Sequence, residues 1–117
     1  MQGFHEQSII DLTGTYHDTE FKHCVRRIRD NMNGSAIIDG TVPVVGKVCD
    51  EKTDIKFVMS ADTVIVNMRG LHTKQISADF SSIGGATLLH GMWDTEKREI
   101  NWEDGDKWGK LATLYIQ

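Results

Sequence analysis

Residues 55–60, Ile-Lys-Phe-Val-Met-Ser, and residues 75–80, Gln-Ile-Ser-Ala-Asp-Phe, show the alternation that decides the fold class. Apolar side chains stand at every second position, at 55, 57 and 59 and again at 76, 78 and 80. An extended strand points successive side chains to opposite faces. The spacing therefore predicts strands with one buried face.

The composition of the whole chain agrees with these two stretches. Val, Ile and Thr make up 29 of the 117 residues, whereas Leu and Ala together make up 11. β-Branched side chains pack well on a pleated sheet, and Leu and Ala are the better helix formers. The sequence therefore predicts an all-β protein.

Candidate strands recur along the chain, and tight-turn signals separate them. The turns are expected at 31–34, 39–40, 61–62, 84–85 and 104–105, where Gly, Asn and Asp tolerate positive φ. Pro43 cannot donate to a β-ladder, so its strand is expected at an edge or with a bulge. The ten candidates are residues 12–17, 22–29, 35–39, 42–49, 55–60, 63–69, 75–80, 87–93, 99–102 and 107–115.

This order predicts an antiparallel meander of about eight to ten strands, closing into a small barrel or a flattened barrel or sandwich. The length predicts one domain over residues 1–117, with residues 1–11 as an N-terminal extension that could hold a short helix. The first residues show no secretory signal and no apolar run approaches a membrane span, so we expect a soluble, cytoplasmic protein without membrane contact.

Charge and cysteine content limit the classes of partner. The net charge is −4, and a nucleic-acid binder needs a basic surface, so nucleic acid is not expected. Cys24 and Cys49 have no C-x-x-C spacing, and in a cytoplasmic protein we expect them to be reduced, buried thiols. A single bridge between them is the alternative for a secreted protein.

Both ends of the sequence carry a resemblance to known β proteins. Residues 12–18, Leu-Thr-Gly-Thr-Tyr-His-Asp, resemble the Gly-x-aromatic opening of calycin barrels, the lipocalin, fatty-acid-binding and avidin group. Residues 100–108, Ile-Asn-Trp-Glu-Asp-Gly-Asp-Lys-Trp, are similar to a closing hairpin of small β-domain proteins of protists, especially alveolates. The resemblance implies a calycin-like barrel with an aromatic side chain at its closed end, and it implies no activity.

The largest aromatic side chains are the candidates for a ligand site: Tyr16, Trp93, Trp102 and Trp108. In a hollow barrel they would line the cavity and contact a small apolar ligand. In a filled barrel they would form the core, which is the commoner role in small barrels. Trp102 and Trp108, six residues apart across a turn, are expected as a cross-strand or diagonal pair.

Four cations on one predicted strand are the candidates for contact with an anion or an acidic partner: Lys22, Arg26, Arg27 and Arg29. Alternation places Arg27 and Arg29 on one face and Lys22 and Arg26 on the other. We therefore expect solvated charge on an edge strand rather than one continuous patch.

No motif predicts catalysis, a metal or a cofactor. The run from His17 to Cys24 and the acidic residues around Asp104 contain possible ligands, but neither has the spacing of a zinc or EF-hand site. We therefore expect a non-enzymatic binding module that associates with another protein or with itself through the barrel surface. The alternatives are a carrier of a small apolar ligand and a small β-barrel enzyme.

Overall fold

The chain forms a closed antiparallel β-barrel. The computed structural model describes residues 9–112, so most of the predicted N-terminal extension lies outside the described residues. Each strand pairs with its neighbours in sequence, and the last pairs with the first. This confirms the predicted all-β meander. The strands are β1 Gly14–Asp18, β2 Arg26–Asp30, β3 Ser35–Val42, β4 Ile55–Met68, β5 Leu71–Ala78, β6 Leu89–Asp94, β7 Glu99–Trp102 and β8 Lys107–Lys110.

Alternation along each strand fills the barrel. On β2 and β3 every second residue is buried, as a strand with one inward face requires. Trp93, Trp102 and Trp108 belong to this core. The other buried apolar side chains of the cluster are Leu12, Tyr16, Ile28, Ala36, Ile38, Ala61, Ile76, Ala78, Phe80 and Ile100.

The turns predicted at 61–62 and 39–40 are wrong, because these residues lie within strands and pack closely there. Ala61 lies within β4, buried between Ala36 and Ala78, so the candidates 55–60 and 63–69 form one long strand. Gly40 lies within β3, where a Cβ atom would overlap the carbonyl of Val25. The Asp-Gly pair at 39–40 thus permits a close backbone approach rather than a hairpin.

The predicted strand at 42–49 is also wrong. Residues 43–54 form a loop, and within it only Val48 makes an isolated bridge, with Lys22. Pro43 follows the last residue of β3, where its missing N–H ends the pairing. Because the barrel is closed, it has no edge strand, and the expected edge position of Pro43 and of the basic strand is not found.

Cys24 and Cys49 form a disulfide, which corrects the expectation of two reduced thiols. Their Cα atoms are 4.9 Å apart, within the usual range for a bridge. The bond joins the 19–25 loop to the 43–54 loop across 25 residues of sequence. The same two loops are linked by an ion pair between Lys47 and Glu20 and by a hydrogen bond from the Cys49 N–H to the Lys22 carbonyl.

The two ends of the barrel differ in their connections. Since neighbouring strands are antiparallel, loops after odd-numbered strands lie at one end and loops after even-numbered strands at the other. The turns at 31–34, 69–70 and 95–98 are short and make the closed end. The connections at 19–25, 43–54, 79–88 and 103–106, which include a 3₁₀ turn at Ser81–Ile83, make the open end.

A buried ion pair seals the closed end. Lys74 Nζ lies 2.7 Å from Asp30 Oδ2 and also donates to the carbonyl of Ile10. The Asp30 carboxylate accepts hydrogen bonds from the backbone N–H groups of Leu12 and Met32. The segment before β1 therefore crosses this end of the barrel and satisfies both charges.

Candidate functional site

The open end contains a cavity of about 200 Å³. It lies between the ends of β1, β3, β5 and β7 and the loops that follow them. Its lining combines aromatic rings with four charged side chains: Phe21, Phe80, Trp102 and Trp108 with Asp18, Arg26, Asp104 and Asp106. Val42, Pro43, Gly46, Ile83, Gly84, Gly85, Ala86 and Leu89 complete it.

The aromatic wall of the cavity is a packed group of rings. The centroids of Trp102 and Trp108 are 4.9 Å apart in an edge-to-face arrangement. Since Trp108 lies opposite Ile100, the two rings form the diagonal alternative of the predicted cross-strand or diagonal pair. Phe80 packs edge-on against Trp102 at 5.4 Å and against Trp108 at 6.3 Å. Behind this wall lies Gly91, where a Cβ atom would come within 2.8 Å of the Trp102 ring. The wall is therefore held in one position by the core.

Asp18 and Arg26 form an ion pair buried in the cavity floor. Arg26 Nε donates to Asp18 Oδ2 at 2.9 Å, and both side chains are at most 5% exposed. Asp18 Oδ1 accepts the backbone N–H groups of Glu20 and Phe21. The carboxylate thus has three donors and stays in place at the end of β1.

The Arg26 guanidinium is enclosed on its other sides. Its Nη1 donates to the carbonyls of Val25 and Thr41, the latter at 2.5 Å. The rings of Phe21, Phe57 and Trp108 lie 5.5, 5.8 and 5.6 Å from its central carbon. These contacts use three of the five N–H groups of the guanidinium and place three rings around it.

Asp106 is a third carboxyl beside this pair. Its Oδ1 accepts from Thr19 Oγ1 and from the Lys107 N–H, and its Oδ2 lies 3.3 Å from Trp108 Nε1. Burial, followed by the hydrogen bond and the repulsion from Asp18, raises the pKa of Asp106 to about 7. Asp106 can therefore gain or lose a proton near neutral pH.

Within the described residues, the Trp102 Nε1–H is one of two buried polar groups that have no hydrogen-bond partner, the other being Glu99 Oε2. Trp102 is 4% exposed and lines the cavity. A buried donor left without an acceptor is rare in folded proteins. This wall of the cavity thus combines an apolar ring with an unused donor.

The four predicted ligand residues do not converge on one site. Trp102 and Trp108 line the cavity, and both are also part of the core. Tyr16 lies inside the barrel, where its hydroxyl donates to the Leu12 carbonyl at 2.6 Å and burial raises the pKa of its phenol. Trp93 is buried toward the closed end, with Lys110 Nζ 5.8 Å from its ring.

The structure does not bring the four predicted basic residues together either. Arg26 points into the barrel, whereas Lys22, Arg27 and Arg29 are exposed. Arg27 forms an exposed ion pair with Asp39 at 2.7 Å. Alternation predicted the opposite faces of Arg26 and Arg27 correctly, and Arg26 is an internal counter-ion. The placing of Lys22 on the same strand and face as Arg26 is wrong, because Lys22 precedes β2 in the 19–25 loop and is exposed.

Sequence reasoning did not single out Phe21, Phe80, Asp18 and Asp106 as one group. Asp18 shares the inward face of β1 with Tyr16, so a charged residue at an inward position was the available signal. Asp106 reaches it only because β8 pairs with β1. Among residues 9–112, no three His, Cys, Asp or Glu side chains come together as a metal site.

Two further findings concern the class of protein. The described part of the chain has no helix that is long and apolar enough to cross a membrane. No family model, no curated protein and no solved structure matches the chain.

Proposed function

We propose that the chain is a non-enzymatic binding protein that holds a small molecule in the cavity at the open end of its barrel. The observation that carries this proposal is the lining of that cavity: fixed aromatic rings beside a few placed polar groups. Small-molecule sites have this composition, and in β-barrels they lie at the mouth. At about 200 Å³ the cavity suits a ligand of one ring rather than a long lipid.

We include a relationship to calycin barrels in this proposal. Eight antiparallel strands in meander order, with longer loops at one end, support it. Tyr16, in the Gly-x-aromatic stretch of β1, is buried and bonded to the segment that crosses the closed end. A relationship to small protist β-domain proteins through residues 100–108 is part of the proposal and implies no ligand.

The test uses three probes that share a phenylethyl skeleton: neutral 2-phenylethanol, cationic 2-phenylethylamine and anionic phenylacetate. Each is titrated into ¹⁵N-labelled protein, and amide and indole shifts are recorded. We expect at least one probe to shift Trp102, Trp108 and the 79–88 loop. The variant Ala86→Trp, which places a ring in the cavity, should abolish these shifts, and Ser60→Trp on the outer face of β4 should not. If no probe shifts the cavity residues, the proposal is wrong.

Self-association or a protein partner is the second candidate, and exposed apolar side chains favour it. Val44 and Val45 are 63% and 83% exposed on the 43–54 loop, and Val58 is 71% exposed on β4. Sedimentation velocity from micromolar to millimolar concentration tests self-association. A dimer that Val45→Lys or Val58→Lys dissociates would support it, and a monomer throughout would oppose it. Catalysis by a small β-barrel enzyme is a further alternative that no particular contact favours.

The compartment is part of the proposal as well. The Cys24–Cys49 disulfide favours an oxidising compartment over the expected cytoplasm, because cytosolic thiols are kept reduced. Mass spectrometry of protein isolated from its own cells, without reductant, distinguishes the two. A mass lower by two hydrogens supports the oxidising compartment, and the full reduced mass supports the cytoplasm.

A further inference from the structure

We propose that the ligand of the open-end cavity is a small organic cation, an ammonium attached to a single ring or a short apolar chain. This inference rests on the proposed function, since it assigns the chemical class of the molecule that the cavity holds. It follows from the balance of charges in the lining, from the aromatic wall and from the cavity's size.

The charges of the cavity do not cancel. The lining contains three carboxyl groups, on Asp18, Asp104 and Asp106, and one guanidinium, on Arg26. Arg26 is paired with Asp18 at 2.9 Å. Asp104 and Asp106 are left without a cation in the lining, so an added positive charge would be favoured.

An anion is the less favourable occupant. Arg26 already donates to Asp18 and to the carbonyls of Val25 and Thr41, and three rings cover it. The unpartnered Nε1–H of Trp102 offers a single donor. Arg26 has two N–H groups beyond these bonds, but above the pKa of Asp106 two carboxylates, on Asp104 and Asp106, would repel an anion.

The aromatic wall suits a cation for a separate reason. The face of an indole or phenyl ring carries negative charge density, and it attracts ammonium and guanidinium groups. Trp108 already contacts one cation in this way, since its ring lies 5.6 Å from the Arg26 guanidinium. Phe80 and Trp102 extend the same wall.

Asp106 would couple binding to a proton. Its carboxyl faces Asp18 on β1, Thr19 in the next loop and the Trp108 indole on β8. Lys47, on the 43–54 loop, also acts on it, although Lys47 is already paired with Glu20. A bound cation would favour the ionised form, so Asp106 would release its proton when the ligand enters.

The experiment compares the three phenylethyl probes by calorimetry at pH 8. We expect the amine to bind more tightly than the alcohol by at least about tenfold, which is typical of a hydrogen bond to a charged group, and the acid to bind weakest. In Asp106→Asn the affinity ratio of amine to alcohol should fall toward one. The control Asp62→Asn removes the same charge from the outer face of β4 and should leave this ratio unchanged.

A second measurement does not depend on any variant. In the wild-type protein the affinity ratio of amine to alcohol should rise between pH 6 and pH 8, because Asp106 ionises in that range while the amine stays cationic. A constant ratio would oppose the role of Asp106. Equal binding of alcohol and amine at the cavity would overturn the cation assignment and leave the proposed function standing, whereas failure of all three probes would overturn the proposed function itself.

Discussion

Both ends of the barrel bury an ion pair, but the surroundings of the two pairs differ. Each end buries one acid paired with one base, Asp30 with Lys74 at the closed end and Asp18 with Arg26 at the open end. At the closed end, backbone groups of the preceding segment complete the pair. At the open end, Asp106 adds a further carboxyl, and a cavity lies beside it. The closed end thus holds a balanced charge pair, and the open end holds such a pair with an added carboxyl beside a cavity.

The largest effect is expected when the closed-end pair is broken. Asp30→Ala leaves the Lys74 ammonium buried without a counter-charge, and it should lower the free energy of unfolding by about 3–5 kcal/mol. Asp39→Ala, which removes the partner of Arg27 from an exposed pair, should cost at most about 1 kcal/mol. Urea denaturation of both variants checks this. A similar small loss in both would mean that the closed end is not sealed by charge.

At the open end, the disulfide should be the largest stabilising link. Replacing Cys24 and Cys49 together by Ser frees a loop of 25 residues, and it should lower the free energy of unfolding by about 3 kcal/mol. Denaturation with and without a reductant gives an independent measurement on the wild-type chain. If reduced and oxidised protein unfold at the same denaturant concentration, the two loops are held by their other contacts.

A smaller loss of stability is expected from a substitution behind the aromatic wall. Gly91→Ala places a methyl group within 2.6 Å of Ile100 Cγ2 and 2.8 Å of Trp102, and the overpacking should cost about 1–3 kcal/mol. Gly109→Ala is the matched control on β8, because its added Cβ meets no atom within 4 Å. Thermal denaturation compares the two. If Gly91→Ala is as stable as Gly109→Ala, Trp102 is free to move and the wall is not fixed from behind.

The last effect depends on pH and comes from the extra carboxyl of the open end. The pKa of Asp106 is about 7 in the folded chain and 3.8 as its ordinary value, so the folded state holds the proton more tightly. Its contribution to stability is therefore greatest below pH 4, falls as the pH rises toward 7 and is constant above that. Asp106→Asn lacks this carboxyl, so the free energy of unfolding of the wild type minus that of the variant should fall between pH 4 and pH 7. A wild-type contribution that rises over the same interval would contradict the assignment.

The fold could be predicted because strand alternation is a local property. Ile76 and Ala78 are buried as their spacing indicated, and the hairpin turns at 31–34 and 104–105 lie where expected. The errors at Ala61 and Gly40 have one cause. Small residues suit both a tight turn and a crowded barrel wall, and the sequence does not distinguish these uses.

The candidate site was harder to predict because its parts meet only after the barrel closes. Thr19 and Asp106, joined by a 3.1 Å hydrogen bond, are 87 residues apart in sequence. The disulfide depends on two loops that leave the same end of the barrel, which follows from strand direction and not from cysteine spacing. Arg26 was predicted as a contact for an anion. Its buried partner Asp18, whose carboxylate allows the guanidinium to lie inside the barrel, was not predicted.

The pairing of β1 with β8 also has a consequence for how the chain folds. Each other strand pair joins neighbours in sequence, so hairpins can form early at a low entropic cost. The contact between Tyr16 and Lys110 closes the longest loop of the described chain and is expected to form last. Until then, β1 and β8 each present an unpaired edge to other molecules. The hazard of aggregation is therefore concentrated at β1 and β8 until the two strands pair.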